Sequence, residues 1–180
     1  MSVMHEENDD GTWLSESEIN FVRSRIPILY IDAVPVRIDQ KGQVTNFGLL
    51  LRAMPNGSIS RAMVSGRVHH KERIRDALLR HIAKDLGQEA KPQLPADPSP
   101  FTVVEYFPSP ELTGFYDPRQ HAVSLAYIVP IFGECVPSQS VLDFTWITPE
   151  DALNPQLLLE MTQGQDKLLR KAMAHLNLMP

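Results

Sequence analysis

The sequence contains a single cysteine, no long apolar run and no excess of basic residues. Because Cys135 is the only cysteine among the 180 residues, the chain cannot form an intramolecular disulfide or a cysteine-based zinc site on its own. No stretch supplies the roughly 20 consecutive apolar residues of a membrane-spanning helix. The acidic beginning, MSVMHEENDDGTW, lacks the basic and apolar regions of a secretory signal. These absences predict a cytoplasmic protein without a membrane partner.

The charge balance argues against a nucleic-acid polymer as a partner. The 22 acidic and 17 basic residues give a formal net charge of -5, and no dense cluster of lysine and arginine could neutralise a row of phosphates. The composition, 43% hydrophobic and 22% charged, is that of a folded globular protein. This length suits one domain, which we expect to span residues 15–180 after a frayed segment at residues 1–14.

Three segments have the patterns of helices. Ser15, with a glutamate three residues later, has the sequence of a capping box and predicts a helix to about Arg25. Apolar residues recur at steps of three and four between residues 71 and 86, and Gly87 is placed to end that helix. A third apolar face predicts one continuous helix over residues 154–178.

Runs of β-branched and apolar residues predict a set of strands. Pro35 lies in the first of them, where it argues for a sheet edge or a bulge. A proline-rich stretch, residues 91–100, predicts a semi-rigid surface loop. Strands mingled with helices, without regular strand–helix–strand units, favour an α+β fold, an α/β/α sandwich with a mixed sheet and flanking helices. The predicted strands are residues 28–38, 47–52, 58–64, 101–107, 122–132 and 141–147.

The segment GRVHHKERIRDALLRHIAKDLG, which begins at Gly66, has the spacing of a known motif. It resembles the Nudix box, written G-x5-E-x7-R-E-U-x-E-E-x-G-U with U an aliphatic residue, and it fits without a gap. Glu72 and Arg80 stand at the matching glutamate and arginine positions, and the box occupies residues 66–88. The segments FGLLLR, DPRQHAVSLAY and FTWITPEDAL also resemble this superfamily, so the resemblance extends from the first predicted strand to the C-terminus.

The resemblance implies a Nudix fold and metal-assisted hydrolysis of a nucleoside diphosphate linked to another moiety, such as ADP-ribose. Family members hold Mg2+ or Mn2+ with the clustered glutamates of the box, and the metal polarises the diphosphate and activates water. The ligand would be a small nucleotide-type molecule. By position, the resemblance assigns catalytic roles to Glu72, Arg80 and Asp85, and metal binding to Gly66, His81 and Asp85.

Three residues depart from the motif and reduce the negative charge of the metal site. His81 and Lys84 replace glutamates and Gln88 replaces the last aliphatic residue, whereas Asp85 keeps the final acidic position. Neutral His81, Lys84 at +1 and Asp85 at -1 sum to zero, where three glutamates would carry -3. Because negative charge gathers hard cations, we expect weakened binding of Mg2+ or Mn2+.

His81 and Asp85 are four residues apart and therefore share one face of a helix. One interpretation is that this imidazole and carboxylate hold Mn2+, Zn2+ or Ni2+, and the other is that they form a solvated surface. The resemblance implies that Glu72 pairs with Arg80 within the motif rather than serving as a free ligand, which would make its role structural. Candidate general bases outside the box, which the sequence does not rank, are Glu105, Glu111, Asp117 and Glu134.

Positively charged side chains near the box are candidates for substrate binding. Arg52 and Arg67 could bind phosphates through bidentate hydrogen bonds, and Lys84 could anchor a phosphate in place of the metal's charge. These residues also suit a second hypothesis, a non-catalytic regulatory module that binds a nucleotide or a sugar phosphate. A third hypothesis is a structural dimerisation domain. A homodimer is compatible with all three hypotheses.

Overall fold

One mixed β-sheet lies between two layers of helices in the computed structural model, which describes residues 14–54, 56–137 and 141–180. This arrangement confirms the predicted α/β/α sandwich. No helix in the described part of the chain is long and apolar enough to cross a membrane. The helices are α1 (Glu16–Arg23), α2 (Ile74–Leu86), α3 (Pro155–Leu159) and α4 (Gln165–His175), with a 3-10 helix (Asp151–Leu153) before α3. The strands are β1 (Ile28–Ile38), β2 (Val44–Ala53), β3 (Ile59–Ala62), β4 (Val64–Arg67), β5 (Lys91–Pro92), β6 (Thr102–Tyr106), β7 (Ala122–Phe132) and β8 (Asp143–Ile147).

Strand β1 occupies the centre of the sheet and has its predicted bounds. On one side it runs parallel to β7, which also has its predicted bounds. On the other side it pairs with β4 over residues 30–33 and with β2 near its end. Pro35 is therefore not at a sheet edge. It lies where the antiparallel neighbour changes from β4 to β2, and the register shifts between Arg37 and Ile38.

The predicted strand at residues 58–64 is in fact two strands, β3 and β4, which separate at Met63. Strand β3 pairs with β2 and strand β4 pairs with β1, so the chain crosses between two parts of the sheet at this point. The Met63 side chain is buried in the core beneath α4, and its amide donates to the side-chain oxygen of Gln165 at 2.9 Å. The break between β3 and β4 therefore depends on Gln165, a residue distant in sequence.

The helix ends follow the sequence with local adjustments. Ser15 caps α1 and forms with Glu18 the two reciprocal hydrogen bonds of a capping box, as predicted. Helix α2 ends at Gly87, also as predicted. It begins at Ile74 rather than at residue 71, because Lys71 has a φ of 60°, which lies outside the right-handed helical region.

The prediction of one continuous C-terminal helix over residues 154–178 is wrong. The chain breaks between α3 and α4, where Gln163 and Gly164 have φ values of 60° and 85°. A Cβ atom at Gly164 would lie 2.7 Å from the carbonyl oxygen of Gly114. The break therefore accommodates a close approach of two backbone segments, which needs a glycine.

The proline-rich stretch at residues 91–100 is a loop, as predicted, apart from the short strand β5. It packs against the start of α2, since the Arg75 side chain donates to the Pro95 carbonyl at 3.0 Å and the Arg73 side chain donates to the Ala96 carbonyl at 3.1 Å. The loop is thus fixed beside the box helix.

Each face of the sheet has an apolar core of its own. Helix α2 covers one face and the C-terminal helices cover the other, so the box helix is held against β1 and β4 by buried apolar contacts. The α2 residues in this core are Ala77, Leu78, Ile82 and Leu86, and the α4 residues in the opposite core are Leu168, Leu169, Ala172 and Met173.

A carboxylic acid is buried within the core beneath α4. Asp32 on β1 has no solvent exposure, and its Oδ2 accepts hydrogen bonds from the Tyr106 hydroxyl at 3.0 Å and the Ser124 hydroxyl at 2.7 Å. Gln165 in turn donates to the Tyr106 oxygen at 2.8 Å. Burial raises the pKa of Asp32, although hydrogen bonds from Ser124, Ser65 and Tyr106 act to lower it.

We expect Asp32→Asn to flatten the pH dependence of stability. The folded-state pKa of Asp32 lies above the unfolded value, so the native state loses stability as pH rises from about 4 through the raised pKa. An asparagine carries no charge and avoids this loss. Between pH 4 and pH 8, urea unfolding should show a smaller loss of stability in the variant than in the wild type. Asp97→Asn, at a side chain that is 99% exposed, should show no such difference.

Candidate functional site

The loop between β4 and α2 is organised around a bidentate ion pair. Arg80 donates from Nε to Glu72 Oε1 at 2.7 Å and from a terminal nitrogen to Oε2 at 2.9 Å. Glu72 Oε2 also accepts from the His69 amide at 2.8 Å, and Arg80 donates to the Arg67 carbonyl at 3.0 Å. The predicted pairing of Glu72 with Arg80 is therefore present, and it ties the loop to the helix.

The ionised state of Glu72 is consistent with this structural role. Burial acts to raise its pKa, but hydrogen bonds from Arg80 and from the His69 amide outweigh burial and hold the pKa below its usual value. Both carboxylate oxygens are bound to nitrogen donors within the motif. Glu72 therefore stabilises the loop, since each of its carboxylate oxygens accepts a hydrogen bond from within the motif.

His81 is packed into the space that Gly66 leaves. Its side chain is buried, and Nε2 lies 2.9 Å from the Arg67 carbonyl oxygen. A Cβ atom at position 66 would overlap the imidazole ring at Cε1, Nδ1 and Nε2. Burial lowers the pKa of His81 to about 4, so the ring is neutral at pH 7. Because a carbonyl only accepts, Nε2 carries the proton and is occupied as a donor.

Asp85 forms an ion pair with an arginine from the sheet. A terminal nitrogen of Arg52, on β2, lies 2.6 Å from Asp85 Oδ2, and the Asp85 side chain is 2% exposed. Burial raises the pKa of Asp85, while Arg52 and Lys84 act to lower it. The interpretation of His81 and Asp85 as a solvated helix surface is therefore wrong, since both are buried and bonded.

The donor set at the box does not fit a hard divalent cation. Mg2+ requires several oxygen ligands in a near-octahedral arrangement and Mn2+ prefers similar donors. Here Asp85 is bound to a guanidinium, the His81 Nε2 proton points at a carbonyl, and Lys84 adds an exposed positive charge. No group of three or more histidine, cysteine or acidic side chains within residues 14–54, 56–137 and 141–180 could hold a metal ion.

The three predicted metal positions thus make contacts within the protein. Gly66 lies in β4, paired with Ile31 of β1, and provides the room for the His81 ring. His81 and Asp85 lie on the same face of α2, as their spacing predicts, but each is engaged by a different residue of the sheet.

The three predicted substrate-binding residues fall into two places. Arg52 meets Asp85 beside the exposed Lys84, near the C-terminal end of α2. Arg67 lies opposite Tyr30 in the ladder between β4 and β1, and its side chain belongs to a different group of arginines. Arg52 and Lys84 are therefore brought together beside Asp85, whereas the Arg67 side chain lies in a separate group.

Sequence reasoning did not identify the Arg52–Asp85 ion pair or the surroundings of Arg67. Near Arg67 the segment DPRQ folds onto itself, since Arg119 makes a bidentate ion pair with Asp117. Hydrogen bonds from Arg119 and Gln120 outweigh burial and lower the pKa of Asp117, which engages this candidate general base in the fold. The DPRQ run was the available signal in the sequence, but Gln120 of this run also bonds to Tyr30 and Arg23, which lie on other elements.

A family model and a solved structure each match most of the chain. The family model described as "Domain of unknown function (DUF4916)" matches residues 9–178. A crystal structure described as possible asymmetric diadenosine tetraphosphate (Ap4A) hydrolases from Jonesia denitrificans is 58% identical, with a TM-score of 0.84, and the match covers 87% of this chain and 98% of that chain. Among curated proteins, none matches the chain.

More distant structures share the fold. The NUDIX domain of Shewanella oneidensis NrtR, complexed with ADP ribose, is 18% identical with a TM-score of 0.58, and the match covers 91% of this chain and 99% of that one. The MutT protein from Methanosarcina mazei is 15% identical with a TM-score of 0.58, with coverage of 83% and 96%. At these identities the likeness confirms the predicted Nudix fold.

Proposed function

The chain belongs to the DUF4916 family and has the Nudix fold, and on this basis we propose that it binds a nucleotide-type small molecule at a box where protein cations replace the divalent metal. The single observation that carries this proposal is the ion pair between Arg52 and Asp85 at 2.6 Å. Asp85 is the one acidic residue among positions 81, 84 and 85, where the Nudix box has three glutamates, and it is already neutralised by a guanidinium.

The charge of the box region suits an anionic ligand. Arg52 is half-buried and its remaining N–H groups can donate to phosphate oxygens, which guanidinium groups bind well. Lys84 is exposed beside the ion pair and adds a positive charge. The relatives support a nucleotide as the ligand, since one is described as possible Ap4A hydrolases and another was solved with ADP ribose.

A second candidate function is hydrolysis of a nucleoside diphosphate linked to another group, with Mg2+ or Mn2+. The observation that favours it is the 58% identity to the Jonesia denitrificans structure and its description as possible Ap4A hydrolases. It would require Asp85 to exchange Arg52 for a metal, and the donor set described above does not favour that exchange. We therefore place binding without turnover first.

Equilibrium binding with and without metal tests the proposal. We expect calorimetric titration with Ap4A and ADP-ribose to give the same affinity in Mg2+ and in EDTA. Lys84→Glu should weaken binding about tenfold, because it reverses a charge beside the ligand phosphates. Lys171→Glu, an exposed charge reversal on α4, is the matched control and should leave the affinity unchanged.

Turnover separates the two candidate functions. Product release from ADP-ribose or Ap4A that needs Mg2+ or Mn2+, stops with chelator and is abolished by Asp85→Asn would overturn binding in favour of hydrolysis. If the protein binds neither Ap4A nor ADP-ribose, both candidate functions are contradicted.

A further inference from the structure

Two aromatic side chains of strand β8 lie on the sheet beside the box helix. Phe144 is opposite Leu50 of β2, and Trp146 is opposite Gly48, in the antiparallel ladder between the two strands. Both rings pack against the apolar core between the sheet and α2, so they lie on the face that carries the box helix. We call Phe144 and Trp146 the β8 aromatic pair.

The β8 aromatic pair continues the surface on which Arg52 meets Asp85. Arg52 and Leu50 are two residues apart on β2, and alternate residues of a strand share one face of the sheet. At about 3.3 Å per residue, Arg52 lies about 7 Å along the strand from the position opposite Phe144 and about 13 Å from the position opposite Trp146. The aromatic rings therefore lie within one nucleotide's length of the guanidinium.

The geometry of the pair is fixed by its neighbours. The guanidinium carbon of Arg37 lies over the Trp146 ring, 4.4 Å from its centroid. Arg37 is itself held, because its two terminal nitrogens donate to the carbonyls of Ile131 and Gly133 at 2.5 Å and 2.6 Å. Phe144 meets Trp146 edge-on, with ring centroids 4.9 Å apart and an interplanar angle of 90°. Such preorganisation lowers the entropic cost of binding a ligand there.

Exposed apolar side chains lie between the pair and the end of the box helix. Leu142 is 58% exposed, and its amide donates to the Leu51 carbonyl at 2.8 Å, which places it next to Arg52. Val136 is 57% exposed, and its amide donates to the Leu86 carbonyl at 2.9 Å, at the last residue of α2. The two rings of the pair are half-buried beside them. This surface thus offers apolar contact next to the positive charges of the box.

We propose that the β8 aromatic pair is a subsite for the base of a nucleotide whose phosphates lie at Arg52 and Lys84. The inference rests on the proposed function and deepens it, because it adds a site for the base to a site for phosphate. A nucleobase is planar and weakly polar and packs well on aromatic rings, whereas an inorganic phosphate chain gains nothing from them. The protein should therefore prefer a nucleotide to an inorganic polyphosphate with the same number of phosphates.

Titration of the full-length protein in EDTA with Ap4A and with inorganic tetraphosphate tests the subsite. Trp146→Leu and Phe144→Leu should each weaken Ap4A binding about tenfold, because each removes a ring that contacts the base, and should leave tetraphosphate binding unchanged. Phe101→Leu is the matched control, since this half-buried ring packs against the core on the opposite face of the sheet. Thermal unfolding of each variant verifies that the fold is retained.

Tryptophan fluorescence gives a second readout that does not depend on the folding of the Leu variants. The chain has two tryptophans, Trp13 and Trp146, so in Trp13→Phe the emission comes from Trp146 alone. Ap4A should quench this emission, because the base packs against the indole or its neighbours, and tetraphosphate should not.

The two ligands distinguish failure of the subsite from failure of the proposed function. Unchanged Ap4A affinity in folded Trp146→Leu and Phe144→Leu variants, or equal quenching by the two ligands, overturns the subsite. If Lys84→Glu still weakens Ap4A binding in that case, the proposed function stands. A wild-type protein that binds neither ligand overturns both.

Discussion

Gly66→Ala should lower the free energy of unfolding by about 3 kcal/mol, because the added methyl group would occupy the volume of the His81 ring. The ring cannot move away cheaply, since it is buried and its Nε2 donates to the Arg67 carbonyl at 2.9 Å. Urea unfolding at pH 7 measures the effect. Gly66 is thus expected to be required for packing against an unusual histidine, not for metal binding.

A double-mutant cycle isolates this packing from other effects of the substitution. In a His81→Ala background the ring is absent, so Gly66→Ala should cost less than about 1 kcal/mol. An equal cost of Gly66→Ala in both backgrounds would show that His81 does not fill the space beside Gly66.

Acidification should destabilise the wild-type protein by about 3 kcal/mol through His81 alone. The pKa of His81 is about 4 in the folded protein and 6.5 as a free group, so the unfolded chain binds the proton first as pH falls. The stability that the neutral ring contributes is present above pH 6.5 and is lost between pH 6.5 and pH 4. The measurement is the free energy of urea unfolding at pH 8 and at pH 4.

A matched pair of variants separates His81 from the other groups that titrate in this range. His81→Gln keeps a donor for the Arg67 carbonyl and does not titrate, so its loss of stability on acidification should be smaller than that of the wild type by about 3 kcal/mol. His70→Gln, at an exposed position just before α2, should lose as much as the wild type. If His81→Gln and wild type lose stability equally, the imidazole is not buried in a neutral form.

Local sequence patterns account for the framework of the fold. The apolar runs of β1 and β7 predict both strands to the residue, because strands buried on both faces have continuous apolar sequence. The capping box of α1 was predictable because its two partners are three residues apart, and the pairing of Glu72 with Arg80 followed from the resemblance to the Nudix box. Breaks at Met63 and Gly164 were not, because each depends on a contact made by a distant segment.

The position of the site could be predicted from the sequence, but the bonding partners of its residues could not. Spacing alone places His81 and Asp85 on one face of α2, and the structure has them there. Their partners, however, come from the sheet. Arg52 meets Asp85 only because of the register of β2 relative to the helix, and the two residues are 33 positions apart. The sequence of the box alone predicts a weakened metal site, whereas in the folded protein Asp85 is already neutralised by Arg52.

The residues that replace the glutamates of the Nudix box have a physical explanation in the folded protein. A Nudix box gathers carboxylates to hold a metal that binds phosphate, and here the remaining carboxylate holds an arginine instead. A guanidinium supplies positive charge to a phosphate but does not activate water as a divalent metal does. We therefore propose that the box recognises a phosphate-containing ligand rather than hydrolysing it, which is the central claim of our account.

Direct measurement of Mn2+ binding to the ligand-free protein, by the electron paramagnetic resonance signal of free Mn2+, tests this claim. We predict that Mn2+ remains free at micromolar concentrations and that Asp85→Asn changes nothing. Stoichiometric binding of Mn2+ at micromolar concentration, lost in Asp85→Asn, would contradict the account and show that the box still holds a metal.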